Sequence, residues 1–450
     1  MNIFTKLILK LIHKPGLSLG LGFVIIILLG ASFLMLPQAT VSGEISFIDA
    51  VFMATSAVCV TGLVVLDTAV DFTRFGQTIL LILMQIGAFG IITATAIFFM
   101  MIKKKIGIAY GATLRRSLDM EFTNEAVSLV KFIFIFVFSF ELIGSLLLFF
   151  YWDIQGISGL TKVFYSIFHS VSAFANAGLS LFSDSFYGFR YNAFLNIIIS
   201  ILIITGGLGF MVFDDLKDYF FSWVKRGFKT RKLYVHTKLM LIGTIIFIFI
   251  GIAGLLIFER NNSDFSGNPI LVSYFQSVTT RTAGFSTVDI GNLSHPTYLL
   301  FMALMFVGGG SGSTAGGIKV VTIVILFLMF WAFILNKKRV SVFGRTLLWE
   351  NLKHAMAVFI FAFFILLLFS GLLLYTEKGD FRDIIFEAFS AFGTVGLSAG
   401  ITPNLTYIGK ILIILLMFLG RIGPLAIAMI ISGEDRSLRL RYPKERVVVG

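Results

Sequence analysis

Apolar runs of about 20 residues, such as "LGLGFVIIILLGASFLML" at 19–36, recur along the whole chain. Each is long enough to cross a hydrocarbon core of roughly 30 Å as a helix. Between them lie four shorter, half-apolar segments: "FIDAVFMATSAVCVTGL" (47–63), "VFYSIFHSVSAFANAGL" (163–179), "ILVSYFQSVTTRTAGF" (270–285) and "DIIFEAFSAFGTVGL" (383–397). All four end in glycine followed by Leu or Phe: Gly62-Leu63, Gly178-Leu179, Gly284-Phe285 and Gly396-Leu397. Six residues before the glycine stands Ser56, Ser172 or Ser390, and Val278 interrupts this pattern in the third unit. Some 24–28 residues beyond each glycine comes a second cluster inside an apolar run: "QIGAFG" (85–90), "TGGLGF" (205–210), "VGGGSGS" (307–313) and "LGRIGP" (419–424). A Gly-Leu pair alone carries no information. Four pairs in one apolar frame, spaced by 106–116 residues, mark an internal duplication.

The pattern predicts an all-α membrane protein of four units at 1–105, 106–225, 226–340 and 341–450, the last with a basic tail. Each unit reads as span, short helix, span. The short helices of about ten to thirteen residues cannot cross a bilayer and fit re-entrant pore helices. Eight transmembrane helices and four pore helices result, and both termini fall on one side. Because all units point the same way, they are expected around a pseudo-fourfold axis along the membrane normal.

Composition agrees. Hydrophobic residues make up 57% and charged residues 13%, about half the charged fraction of a soluble domain. The first run begins near Gly16 without a small-residue cleavage pattern, so it reads as a retained span, not a signal peptide. A net charge of +12 raises the question of nucleic acid. The bases, however, sit beside the spans: Lys6, Lys10, Lys14, "KKK" (103–105), "RR" (115–116), "KRGFKTRK" (225–232), "KKR" (337–339), and Arg436 to Arg446. This is the cytoplasmic signature of the positive-inside rule, so the expected partner is a lipid bilayer and not nucleic acid. The opposite side carries Asp67, Asp71, Asp184, Asp264, Asp289 and Asp383. The lone Cys59 excludes an internal disulfide or a cysteine metal site, and the five histidines show no ligand spacing.

Non-helical backbone at membrane depth is stable only where protein or water satisfies it. Four glycine-bearing segments dropping towards one axis meet that condition by lining an aqueous path. Their carbonyls would replace a cation's hydration shell. Glycine permits the backbone angles this requires, and the C-terminal ends of the short helices favour a cation.

The motifs "VCVTGLVVLDT", "SAFANAGLSLF", "RTAGFST", "AFSAFGTVGLSAGITP", "GGGSGSTAGGIK" and "MFLGRIGPL" make the chain resemble the membrane subunit of the Ktr potassium uptake systems, within the Trk/Ktr/HKT superfamily. The resemblance covers nearly the whole length. It implies a selectivity filter at Val60, Thr61, Gly62 and Leu63; Asn176, Ala177, Gly178 and Leu179; Thr282, Ala283, Gly284 and Phe285; and Thr394, Val395, Gly396 and Leu397. Potassium would bind their backbone carbonyls. The resemblance further implies potassium uptake into the cell, stimulated by sodium, by a homodimer with one pore per protomer. A cytoplasmic ring of nucleotide-binding regulatory subunits would dock below. Relatives favouring sodium carry serine at the first filter glycine, and Gly62 keeps the potassium form; a sodium-permeable or less selective transporter is the alternative.

The run from Thr297 to Leu335 is nearly twice the length a bilayer needs, and its first arm, 298–307, spans only about 15 Å as helix. Gly308, Gly309, Gly310, Ser311, Gly312, Ser313, Thr314, Ala315, Gly316 and Gly317 therefore fall near the bilayer midplane. They read as a gate below the filter, with Lys319 either anchoring the loop or snorkelling. Arg421, at the matching depth of unit four, reads as a second gate element, since a mid-span arginine faces a cavity or a partner.

Other intramembrane polar residues read as structural. Glu141 pairs with a neighbouring helix or sits at an interface, and Gln85 faces the cavity or another helix. Arg281 braces the third filter loop or shapes the outer mouth, and His169 is a packing residue. An enzyme is not expected: the spans show no nucleophile–base arrangement, paired aspartates or metal motif, and no phosphate loop supplies ATP hydrolysis. No cofactor is expected in this chain beyond potassium as substrate and sodium as activating ion. The loops at 103–116 and 225–238, with the tail, are candidate docking surfaces for the regulatory subunits.

Overall fold

The computed structural model describes residues 15–101, 123–154, 156–157, 159–226 and 232–423. The N-terminal lysines, the clusters at 103–105 and 115–116, most of 225–232 and the basic tail lie outside them, and with them most of the docking surfaces expected there.

Each unit supplies a long first helix, a buried short helix and a second arm. The first helices are α1 (Pro15–Leu34), α4 (Thr123–Ile154), α8 (Val235–Phe258) and α12 (Trp349–Thr376). The short helices are α2 (Phe47–Val58), α5 (Gly159–Ala175), α9 (Pro269–Thr279) and α13 (Phe381–Gly393). At 12, 11 and 13 residues, α2, α9 and α13 are too short to cross a bilayer. The fourth, α5, is longer than expected at 17 residues, and its first turn projects outward with Leu160 exposed.

Local sequence starts these helices. Ser46 accepts the amide hydrogen of Asp49 at the start of α2 (3.2 Å), and Asn268 accepts that of Leu271 ahead of Pro269 in α9 (3.2 Å). The C-terminal half of α2, with Ala54, Thr55, Ser56 and Ala57, is buried on all sides. The first helices instead expose large apolar faces, including Phe150, Phe249 and Phe364, the distribution expected of a lipid-facing rim around a protein-filled centre.

The second arms take four forms. In unit one, α3 (Arg74–Met101) is continuous. In unit two the chain bends by 95° at Gly209, between α6 (Ala193–Leu208) and α7 (Phe210–Arg226). In unit three the expected long run is broken into α10 (His295–Phe306) and α11 (Val320–Ile334), separated by the glycine-rich loop. In unit four α14 (Tyr407–Ile422) is described up to Gly423. The downstream glycines have a packing reason in three units. A side chain at Gly87, Gly206 or Gly420 would collide with the carbonyl of Val58, Phe174 or Phe392, near the end of that unit's short helix.

Packing closes the units into a ring. Beyond contacts within its own unit, α3 packs on α5, α6 on α9, α10 on α13, and α14 on α2. Each second arm thus leans on the short helix of the next unit, and the last returns to the first. Among the described residues, the stretches Lys131–Trp152, Val235–Phe258 and Trp349–Thr376 are long and apolar enough to cross a membrane unaided, and the bent pair makes a fourth candidate. A two-stranded hairpin, Ser341–Val342 with Arg345–Thr346, links units three and four.

Candidate functional site

Every short helix runs into the same backbone turn. Val60, Asn176, Thr282 and Thr394 are left-handed, with φ of 55°, 61°, 76° and 49°, and two residues later Gly62, Gly178, Gly284 and Gly396 are left-handed again at 91°, 66°, 81° and 90°. Left-handed backbone at a β-branched Val or Thr costs on the order of 1–3 kcal/mol and persists only where the surroundings enforce it. Four repetitions at matched positions show that the whole fold holds this geometry.

The four turns meet. A Cβ built on Gly62 would lie 2.5 Å from the Ala177 carbonyl oxygen and 3.1 Å from Gly178 Cα. One on Gly178 would lie 2.6 Å from the Ala283 oxygen and 3.0 Å from Gly284 Cα. A Cβ on Gly284 would press on the Val395 oxygen and Gly396 Cα, and one on Gly396 on the Thr61 oxygen and Gly62 Cα, closing the circuit. Only glycine tolerates this approach. Leu63, Leu179, Phe285 and Leu397, directly after the glycines, are buried and anchor the turns in the surrounding core.

Hydroxyls from the short helices hold the turns. Ser56 Oγ accepts the Gly62 amide hydrogen at 3.0 Å, and Ser390 Oγ that of Gly396 at 3.1 Å. Ser172 Oγ instead donates to the Leu179 carbonyl at 2.7 Å. In unit three, where Val278 breaks the serine pattern, Thr279 Oγ1 donates to the Phe285 carbonyl at 2.7 Å. Sequence reading missed Thr279 because the hydroxyl had moved by one position. Between units two and three, the Asn176 amide and the Thr282 hydroxyl bond at 3.1 Å. With its oxygen as the acceptor, the Asn176 amide nitrogen donates to the Ala173 and Ile203 carbonyls.

All four glycines line one cavity of about 530 Å³, whose wall includes Asp67, Asp71 and Asp184. Of the six expected acidic residues, these three reach the cavity. Asp264 is taken up by Arg190 (3.2 Å) and Tyr187 (2.9 Å), Asp289 by local turns, and Asp383 by Arg382.

The 308–317 loop lies against the turns. A side chain at Gly316 would strike Thr394, and Gly317 lies close to the Gly393 carbonyl. The loop is stitched to three other elements. Gly310 donates its amide hydrogen to the Gly207 oxygen (2.7 Å), Thr314 to that of Gly206 (3.2 Å), and Gly317 to that of Gly420 (3.3 Å), while Phe210 donates to the Gly312 oxygen (3.0 Å). Thr314 Oγ1 also donates to the Phe174 carbonyl at 3.3 Å. Lys319 does not snorkel: its ammonium donates to the Ala315 oxygen at 2.7 Å and closes the loop on itself. Arg421 donates to the carbonyls of Thr314 and Gly87, joining the loop to units one and four.

Gln85, Glu141 and Arg281 each find a partner on a neighbouring helix. Gln85 Nε2 donates to both carboxylate oxygens of Glu141 at 3.0 Å, so each faces the other's helix. Arg281 does not reach the outer mouth. It bonds to Thr244 of α8 at 3.4 Å and borders a small cavity with Gly309, on the loop side of the turns. Its position at the end of α9 points it backwards, away from the four-glycine cavity. Among the described residues no group of three or more His, Cys, Asp or Glu side chains is placed to hold a metal ion.

Three comparisons bear on this arrangement. The TrkH model, described as a cation transport protein, matches residues 26–438. The chain is 41% identical to the Ktr system potassium uptake protein B of Bacillus subtilis over 97% of both chains, and 36% identical to the potassium/sodium uptake protein NtpJ of Enterococcus hirae over the full length of both. Its fold resembles the crystal structure of the potassium transporter TrkH from Vibrio parahaemolyticus, with a TM-score of 0.70, 18% identity and coverage of 92% of this chain and 85% of that one. With a family model spanning nearly its whole length and close full-length relatives, the chain belongs to the TrkH family of cation transport proteins.

Proposed function

We propose that this chain takes up potassium across the cell membrane along the axis where its four glycine turns converge. The observation that carries the reading is the closed circuit of contacts from Gly62 to Gly178, Gly284, Gly396 and back. Main-chain oxygens crowd around that axis, and no carboxylate belongs to the turns. Such a site selects by replacing hydration with carbonyl oxygens. The acidic cavity outside raises the local cation concentration, and the short helices end towards the turns, adding partial negative charge. The filter in this reading comprises the sixteen residues of the four turns, 60–63, 176–179, 282–285 and 394–397. The 308–317 loop and Arg421 act as the gate, because they cross the path directly beneath.

The full arrangement of eight crossings, cytoplasmic termini and a homodimer with one path per protomer belongs to the same proposal. So do sodium stimulation and control by a cytoplasmic nucleotide-binding ring. The resemblance supports them, as does the word "system" in the name of the Bacillus relative. Uptake of radiolabelled rubidium into proteoliposomes, with sodium varied on either side, tests the reading. Rubidium uptake that sodium stimulates and does not displace is the expected result. Gly62→Ser should lower the preference for rubidium over sodium. Equal permeation by both ions in the unmodified chain would favour the less selective alternative, consistent with the potassium/sodium name of the Enterococcus relative.

A further inference from the structure

Behind three of the four turns, a buried polar side chain of the short helix reaches the strand that leaves the glycine. In unit two, His169 accepts the Leu181 amide hydrogen on Nε2 at 3.2 Å, with Ser180 Oγ at 3.4 Å. Its Nδ1 faces the Tyr165 carbonyl at 2.8 Å, so the ring is the neutral tautomer with the proton on Nδ1. In unit three, Gln276 Nε2 donates to Ser286 Oγ at 3.3 Å and Thr287 Oγ1 at 3.1 Å. In unit four, Glu387 Oε1 accepts from the hydroxyls of Ser398 and Thr402, the latter at 3.0 Å. Ser180, Ser286 and Ser398 each stand two residues after the glycine. His169, Gln276 and Glu387 are 0–1% exposed. Unit one differs: Met53 occupies the place of His169 and Glu387, and Val64 that of the three serines.

Core packing alone does not call for these groups. Gln276 Oε1 and Glu387 Oε2 have no hydrogen-bond partner, an arrangement that an apolar side chain would avoid. The bonds they do make all fall on one short stretch, immediately outside the point where a permeating ion would meet the glycine carbonyls.

We propose that His169, Gln276 and Glu387 are positioning residues that fix the outer end of the ion path in units two, three and four, while in unit one Met53 and Val64 stand in the corresponding places and offer no such bond. The proposal rests on the filter reading above. A side chain behind the turn sets how far the carbonyls can relax around a smaller ion, so its removal changes discrimination among ions more than maximal rate. The turn of unit one keeps the Ser56 bond to Gly62 and lacks this second one from the short helix.

Rubidium and sodium uptake by the full-length chain, each as a function of concentration, tests this. Gln276→Leu and Glu387→Leu should each raise half-saturation for rubidium, and lower rubidium-over-sodium preference, by about fivefold. Maximal rate should stay within about twofold, since a general packing defect would lower the rate for both ions alike. Glu387→Gln keeps an acceptor for Ser398 and Thr402 and should restore the preference. Met53→Leu, a volume-conserving change at the matching place of unit one, should leave it unchanged. If Glu387→Leu does not accumulate, Ser398→Ala removes the same bond from the other end and carries the same expectation. Unchanged preference in Gln276→Leu and in the Glu387 or Ser398 variant, while Gly62→Ser alters it, would overturn the positioning role and leave the filter reading standing. An unmodified chain that takes up no rubidium, or a Gly62→Ser chain with normal preference, would remove the filter reading itself.

Discussion

The guanidinium of Arg421 donates to the main-chain oxygen of Thr314, tying the end of α14 to the middle of the 308–317 loop. The same group donates to the Gly87 carbonyl of α3, so one side chain joins the loop to the first and fourth units. A charged donor held by two carbonyls in a water-poor setting is worth about 1.5–3 kcal/mol per bond when its partners lose it. Arg421→Ala should therefore release the loop and raise rubidium flux several-fold, in cells lacking other potassium uptake. Equal or lower flux at normal protein level would argue that the contact serves folding and not gating.

The contact of Gly178 with Ala283 leaves no room for a methyl group. A Cβ at residue 178 would lie 2.6 Å from a carbonyl oxygen, at a backbone φ of 66° that L-residues rarely adopt. Both the collision and the strained angle act on the turn itself. Gly178→Ala should lower rubidium uptake at least about tenfold at normal protein level in the membrane, since the added methyl acts on the turn and removes no core side chain. Normal uptake by this variant would separate the second turn from the path.

Gln85 is the hydrogen-bond donor found for the carboxylate of Glu141, which is 5% exposed. Interhelical hydrogen bonds inside membranes average about 0.6 kcal/mol and reach about 1.7, and a bond to a buried carboxylate belongs at the upper end. Gln85→Leu should lower the thermal midpoint in detergent by a few degrees, and Glu141→Gln should recover most of the loss. A midpoint unmoved by Gln85→Leu would show that the pair contributes nothing to the packing of α3 on α4.

Glu259 ends α8 and accepts from Ser294 N at 2.8 Å, Ser294 Oγ at 2.7 Å and Thr297 Oγ1 at 2.5 Å. It thus caps α10 from outside the helix and favours the helix dipole. Glu259→Ala should destabilise the protein by about 1–2 kcal/mol, the range for loss of a good cap. Limited proteolysis between α9 and α10, where the chain would loosen first, measures it.

Much of this molecule was legible in one dimension. Four glycines at matched distances from four apolar runs marked the turns, because a backbone that must approach its neighbours cannot carry side chains there. The clustered glycines at 308–317 marked the broken helix for the same reason. Individual partners were not legible. Thr279 replaced the missing serine of unit three by a shift of one residue, and Arg281, drawn beside a turn in sequence, extends away from the cavity to Thr244.

The sequence by itself determined the membrane class, the fourfold repetition and the glycines of the turns, since hydropathy, spacing and glycine act locally, whereas the left-handed backbone at Val60, Asn176, Thr282 and Thr394 is imposed by the surrounding fold. Tertiary structure alone decided that the turns close in chain order around one axis. It also decided that Arg421 of unit four donates to the Thr314 carbonyl of the loop. Those outcomes depend on which helix leans on which, and contacts between residues more than a hundred positions apart leave no periodic trace in the chain.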